Sequence, residues 1–187
     1  MGVPGFFLWL WKKYKGTHFV FQKDKLSQSK DIKLIKKVNH IDYLLLDANS
    51  LVHPTCFKVL ADNPNLTDLD KLENKMLNAV IEYIDKLKEF ADPKKGIYIA
   101  IDGVAPVAKI KQQRQRRFKS VHDRILWNNI KKKHNMEIPN SWNNSAITPG
   151  TVFMEKLTKK LIEYCKKQTI TAIFSSANTP AEGEHKI

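Results

Sequence analysis

Cysteine is scarce. Cys56 and Cys165 are the only two in 187 residues, and they form no CxxC. That excludes a disulfide framework and a thiolate zinc site, and it fits a reducing compartment. Seven glycines and eight prolines are too few for a collagen-like or linker-like chain. No run approaches the roughly 20 apolar residues that a bilayer span needs. The largely apolar start, Val3 to Trp11, has no basic residue before it and Lys12-Lys13 after it, the reverse of secretory order. Phe6 stands where a myristoylation signal needs Ser or Thr. These absences together predict a soluble intracellular protein without a membrane partner.

Acid is the other shortage. Nineteen Asp and Glu face 32 Lys and Arg, leaving a net charge of +13 and an isoelectric point near 9.7. Such a surplus concentrates polyanions at the surface and speeds their capture. Nucleic acid is therefore the first expected partner and an anionic membrane surface the second. What is present otherwise is ordinary: 42% hydrophobic and 27% charged residues describe a globular chain. A chain of this length buries ~70% of its unfolded surface as one domain.

Three short apolar runs read as strands: 43–46 ending at Asp47, 97–101 ending at Asp102, and 170–174 ending at Ser175. They are nearly unbroken rather than alternating, which predicts a sheet covered on both faces. Between them, Leu72, Met76, Leu77, Val80, Ile81, Ile84 and Leu87 recur at helical spacing over 70–90. Val152, Phe153, Leu157, Leu161, Ile162 and Cys165 do so over 149–167, where Thr148-Pro149 reads as a cap and first-turn proline. Strand, helix, strand, helix, strand predicts an α/β fold with a mainly parallel sheet flanked by helices. Residues 104–134 are basic and read as helical, whereas 15–40 and 134–146 read as surface connections.

With so few acids, their positions matter. Open parallel sheets place ligands beyond the carboxyl ends of their strands, where Asp47 and Asp102 fall. Glu182-Gly183-Glu184 follows the third strand; if extended, it points both carboxylates to one side. Four acids at one edge repel strongly without a cation. Hard divalent ions relieve that, and a metal pair can activate water and stabilise the leaving oxygen of a phosphodiester. Each residue alone also has a plain structural reading. An Asp after a strand is often a turn former, Asn49 suits a turn as well as a ligand contact, and His53 suits a structural role.

The run from Lys109 to Lys119 holds six cations and no acid in eleven residues. On a helix Lys109, Gln113, Arg116 and Arg117 fall within an arc of about 100°. A lysine, an amide and two guanidinium forks on one stripe can surround a terminal phosphate, the forks by paired hydrogen bonds. Lys131 to Lys133 and Lys166-Lys167 have no such companions and read as solvated faces.

These residues carry a resemblance. MGVPGFF at 1–7, LLLDANSLVHP at 44–54, YIAIDGVAP at 98–106, AKIKQQRQRRFKS at 108–120, ITPGTVFM at 147–154 and EGEHKI at 182–187 occur in this order. Together they resemble the Xrn family of 5′→3′ exoribonucleases over nearly the whole chain, so that 1–187 is similar to the first portion of its N-terminal nuclease domain. The resemblance implies a fold like that of PIN and flap-endonuclease domains, with a mixed sheet. It implies hydrolysis of RNA from a 5′-monophosphate end, releasing nucleoside 5′-monophosphates, in the cytoplasm or nucleus. Asp47, Asp102, Glu182 and Glu184 match the family's carboxylate cluster for Mg²⁺, with Mn²⁺ also serving. Lys109, Gln113, Arg116 and Arg117 match its pocket for the 5′-monophosphate, and His53 the histidine that stacks on a nucleotide. Val107 replaces a usual arginine, and Ala181 a usual glycine. Family members continue for several hundred residues and supply further catalytic aspartates. The expectation is therefore a fragment, a chain completed by a separate one, or a chain without catalysis. Two rival readings are a noncatalytic RNA-binding module and a flap-type DNA endonuclease.

Overall fold

A computed structural model describes residues 5–14, 41–136 and 142–187, with the side chain of Phe7 excepted. Residues 1–40 and 41–187 form two compact units, each taken by itself. In the first, helix α1 (Phe6–Lys13) begins after Gly5, whose φ of 74° glycine adopts without strain. Phe6 stacks on Trp9 with ring centroids 5.8 Å apart, and the Lys13 ammonium lies 4.7 Å from the centre of the Trp9 ring. The 15–40 connection lies outside the described residues.

The second unit runs β1 (Tyr43–Asp47), α2 (Asn49–Asp62), α3 (Leu69–Ala91), β2 (Gly96–Ala100), α4 (Val107–Lys133), a 3₁₀ turn (Asn144–Ala146), α5 (Val152–Lys166), β3 (Thr171–Ser175) and α6 (Gly183–Lys186). The strands lie in the order β1-β2-β3, and both pairings are parallel. Register sets Asp47 opposite Ala100 and Ala100 opposite Ser175, so all three strands end at one edge.

Only the middle strand is buried as expected. Ile97 and Ile99 are 1% and 0% exposed, while β1 and β3 alternate. Leu44, Leu46, Ala172 and Phe174 face the core shared with α2, α3 and α5. Tyr43, Leu45 and Ile173 on the opposite face are more than half exposed. The expectation of a sheet covered on both faces is thus corrected for the described residues. The reason is topological: strands added in one direction, with crossovers of one hand, place their helices on one face.

Helix α3 buries Leu72, Met76, Leu77, Val80 and Ile84 on one stripe, and Asp68 caps it by accepting from Lys71 N at 3.0 Å. Helix α5 starts later than the sequence predicts: its cap is Thr151, whose Oγ1 accepts from Met154 N, rather than Thr148. Gly150, at a φ of 88°, breaks the first turn that Thr148-Pro149 would have begun. The 134–146 stretch is not wholly a surface connection either. Trp142 is buried, meets the Phe153 ring edge-on at 5.2 Å and donates its indole N–H to Glu73.

Helix α2 is absent from the sequence reading. It buries Leu51, Val52 and Cys56 despite Pro54 inside it. Burial pushes the Cys56 thiol up to about 12, so it stays protonated and unreactive. Helix α4, with 27 residues and none buried, extends about 40 Å. No described helix is long and apolar enough to cross a membrane.

The one-sided packing generates a contrast. Ile99→Ala is predicted to cost about 2–4 kcal/mol of unfolding free energy, because the surrounding core cannot collapse around the void. Leu45→Ala, on the open face, is predicted to cost less than about 1 kcal/mol. Urea titrations of both variants check this, and equal losses would contradict the two-layer arrangement.

Candidate metal and phosphate site

Four carboxylates meet beyond the strand ends. Asp47 is the last residue of β1, Asp102 follows β2 by two residues, and Glu182 and Glu184 enter from the chain after β3. The segment 182–184 is not extended, as the sequence reading supposed: Glu182 precedes α6 and Glu184 lies in its first turn. The helical turn still gathers the groups, because ligand atoms of Glu182, Glu184 and His185 lie within 4.8 Å of one another. His185 was missed, although it stands inside the EGEHKI motif, since spacing alone gave it no role.

The backbone of Gly183 is wedged between the two aspartates. Its N–H donates to Asp102 Oδ1 at 2.6 Å. A Cβ at this position would meet Asp47 Oδ1 at 2.4 Å and Asp102 Oδ1 at 3.4 Å, so only glycine fits. Burial, together with the charges of Asp102, Glu184 and Glu182, raises the pKa of Asp47, against a lowering by the Asn49 backbone hydrogen bond. The side-chain oxygens Asp47 Oδ1 and Asn49 Oδ1 are buried without a hydrogen-bond partner. Such orphaned acceptors beside like charges are the condition a cation relieves.

Two lysines approach this edge. Lys109, in the first turn of α4, donates its ammonium to Glu182, a residue only 7% exposed. Lys186 donates to Ile101 O at 2.7 Å and Ser176 O at 2.9 Å, tying together the segments that leave β2 and β3. A second tie joins Gly103 N to Ala181 O and Ala181 N to Val104 O. It holds Ala181 at a φ of 102°, a region that favours glycine.

A cavity of about 380 Å³ opens beside the acids, with Asp102 in its wall. Gln113, Arg116 and Arg117 line it from α4, and Asn49 and His53 from α2. Ser145 and Thr148 also line it from the loop before α5; Ser145 has no role in the sequence reading, and Thr148 only that of a helix cap. Burial lowers the His53 pKa, against the Asp102 charge, leaving a neutral ring near pH 7. The structure therefore brings Asp47, Asp102, Glu182 and Glu184 together at the strand ends, and places Gln113, Arg116, Arg117 and His53 in the cavity wall beside Asp102. Lys109 stands apart from its stripe: it pairs with an acid and does not line the cavity.

A family model described as the XRN 5′-3′ exonuclease N-terminus matches residues 1–187. The chain is 35% identical to 5′-3′ exoribonuclease 2 of Kluyveromyces lactis, an alignment covering all of this chain and 21% of that protein. It is 36% identical to 5′-3′ exoribonuclease 2 of Eremothecium gossypii, covering all of this chain and 22% of the relative. To 5′-3′ exoribonuclease 1 of Schizosaccharomyces pombe it is 33% identical, over all of this chain and 14% of the relative. The chain thus spans about a fifth of the length of the first two relatives.

Two substitutions probe the site without turnover. Asp47→Asn removes a repelled charge and is predicted to raise the metal-free Tm at pH 7 by about 1–3 °C. Because Asp47 titrates higher in the folded chain, its proton favours folding at low pH, and that contribution is lost as pH rises through the raised value. The gap between variant and parent should therefore close as pH falls toward about 4; a gap unchanged by pH would contradict the cluster. Ala181→Gly is predicted to relieve backbone strain worth about 1 kcal/mol, raising Tm by about 2–4 °C. Calorimetry at the two pH values measures both.

Proposed function

We propose, because the chain belongs to the XRN 5′-3′ exonuclease N-terminus family, that it carries the metal-holding and 5′-phosphate-binding part of a 5′→3′ exoribonuclease site. The observation that carries this reading is that Asp102 serves both halves. Its charge raises Asp47 within the acidic cluster, and it lines the cavity with Gln113, Arg116 and Arg117.

The donor set fits a hard divalent cation. Carboxylate oxygens are the ligands Mg²⁺ and Mn²⁺ prefer, and Asp47 Oδ1 is a buried one with no hydrogen-bond partner. Asp47, Asp102, Glu182 and Glu184 would hold it, with His185 near enough to Glu182 and Glu184 to join them. Bound there, the ion supplies positive charge that activates water and stabilises a leaving phosphodiester oxygen.

The chain's own residues position the RNA. Arg116 and Arg117 offer guanidinium forks to a terminal phosphate, and Gln113 an amide N–H. The neutral His53 ring offers a face for the first base. The cavity is near the small end of ligand sites, about 300–1,000 Å³, a size that suits a single 5′ nucleotide. A cap or triphosphate extends the 5′ end beyond that volume, so end selectivity follows from exclusion. RNA decay or processing is the role this chemistry serves.

Fluorescence anisotropy with 5′-monophosphorylated and 5′-hydroxyl oligoribonucleotides tests the reading, using the chain in Mg²⁺. The monophosphorylated RNA is predicted to bind more tightly. Arg116→Ala should reduce that preference by about 10- to 100-fold, the worth of hydrogen bonds to a charged group. Equal affinity for the two ends would remove the pocket assignment. Metal-independent affinity without any release of mononucleotides, even after the rest of a relative's nuclease region is supplied, would favour a noncatalytic binding role.

A further inference from the structure

Lys109 shares its helix face with Gln113, Arg116 and Arg117, yet it alone of the four does not reach the cavity wall. Its ammonium donates instead to Glu182 Oε2. The two side chains are 25% and 9% exposed, so this ion pair is largely withdrawn from water. Glu182 is also the most buried of the three residues whose ligand atoms cluster for a metal. One carboxylate therefore faces two cations, a resident ammonium and an incoming divalent ion. Held close together these repel, and in a withdrawn site the repulsion is poorly screened, which favours departure of the ammonium when the ion binds.

The displaced ammonium has somewhere to go. Residues four apart on a helix stand about 5–6 Å from one another at their Cβ atoms, so Gln113, which lines the cavity, is the neighbour of Lys109 along the stripe. A lysine's flexible four-carbon stem lets its charge turn from one side of such a row to the next. Among the described residues no side-chain carboxylate other than Asp102 lines the cavity wall, and a bound phosphate would offer the anion that Glu182 no longer supplies.

We propose that Lys109 is a shared cation: it neutralises Glu182 while no divalent ion is bound and, once displaced by the ion, turns to a phosphate in the neighbouring cavity, so that metal and 5′-phosphate each strengthen binding of the other. The proposal rests on the reading of Glu182 as a metal ligand and of the cavity as a phosphate site. Linkage makes the effect reciprocal: whatever factor the metal adds to phosphate affinity, phosphate adds to metal affinity. Lys109 acts here as a positioning residue, since its part is to move charge between two sites rather than to join the reacting atoms.

The test uses the 187-residue chain and two 2′-O-methyl oligonucleotides that differ only in a 5′-phosphate or a 5′-hydroxyl, so that no bond is cut during the measurement. Anisotropy gives the preference for the phosphorylated probe without Mn²⁺ and at saturating Mn²⁺. Electron paramagnetic resonance of free Mn²⁺ gives metal affinity without nucleic acid. In the parent chain, Mn²⁺ is expected to raise the phosphate preference by about fivefold or more, the usual scale of coupling between sites. Lys109→Met should bind Mn²⁺ more tightly than the parent, because no ammonium must be displaced, and should show a phosphate preference that Mn²⁺ leaves unchanged. Lys109→Arg keeps the charge and should keep Mn²⁺ affinity near the parent value, which separates loss of charge from loss of structure. If Mn²⁺ binds and the phosphorylated probe is preferred, yet Lys109→Met shows parental coupling and parental Mn²⁺ affinity, the shared-cation proposal is overturned while the site reading stands. If the parent neither binds Mn²⁺ nor prefers the phosphorylated probe, the site reading itself fails and takes this proposal with it.

Discussion

Repulsion among carboxylates is the constraint on which the rest of this structure depends. Three parallel strands ending in register deliver Asp47 and, two residues on, Asp102 to one edge. A glycine with no room for a Cβ then brings Glu182 and Glu184 against them. Burial and the neighbouring charges raise the pKa of Asp47 from its ordinary value, so the ionised Asp47 opposes folding at neutral pH instead of supporting it. What holds the cluster together lies elsewhere. The core beneath the sheet, the Lys186 bonds to Ile101 and Ser176 and the backbone tie between Gly103 and Ala181 keep the edge assembled. Such strain, maintained by the surrounding fold, is the usual mark of a site arranged for a ligand.

The second organising feature is that anion-binding and cation-binding groups share a wall. Helix α4 buries none of its residues and serves as a rail along which charge is placed. At its first turn Lys109 meets the acids, and one to two turns on Gln113, Arg116 and Arg117 meet the cavity. A surplus of thirteen positive charges therefore does two different jobs. Most of it provides a field that draws polyanions, which salt screens. A small part is held within reach of named acceptors, where geometry rather than net charge decides what binds.

Much of this was legible in the residue order, and the exceptions have physical causes. The strands were readable because apolar runs of four or five residues have few other uses, and α3 because Leu72, Met76, Val80 and Ile84 repeat at the helical period. Convergence of the acids was readable because parallel strands end at one edge. Helix α2 was hidden by Pro54, which deletes a hydrogen bond but does not stop a helix whose Val52 and Cys56 are buried. Glu182 and Glu184 were grouped correctly on the wrong geometry, since a short helical turn after Glu182 gathers them as well as an extended strand would. Trp142 sits in a polar stretch that reads as surface, and only tertiary contact with Phe153 and Glu73 places it inside. The stripe on α4 was visible as periodicity, but the departure of Lys109 from it was not, because its partner lies 73 residues away.

The central claim is that these four acids form one cation site. Anomalous X-ray diffraction at the manganese edge, from crystals of the chain equilibrated with Mn²⁺, addresses that claim most directly. The account predicts anomalous density between the carboxylates of Asp47, Asp102, Glu182 and Glu184, with the Lys109 ammonium withdrawn from Glu182. Density confined to other surfaces, with the Lys109–Glu182 pair intact at saturating Mn²⁺, would contradict it.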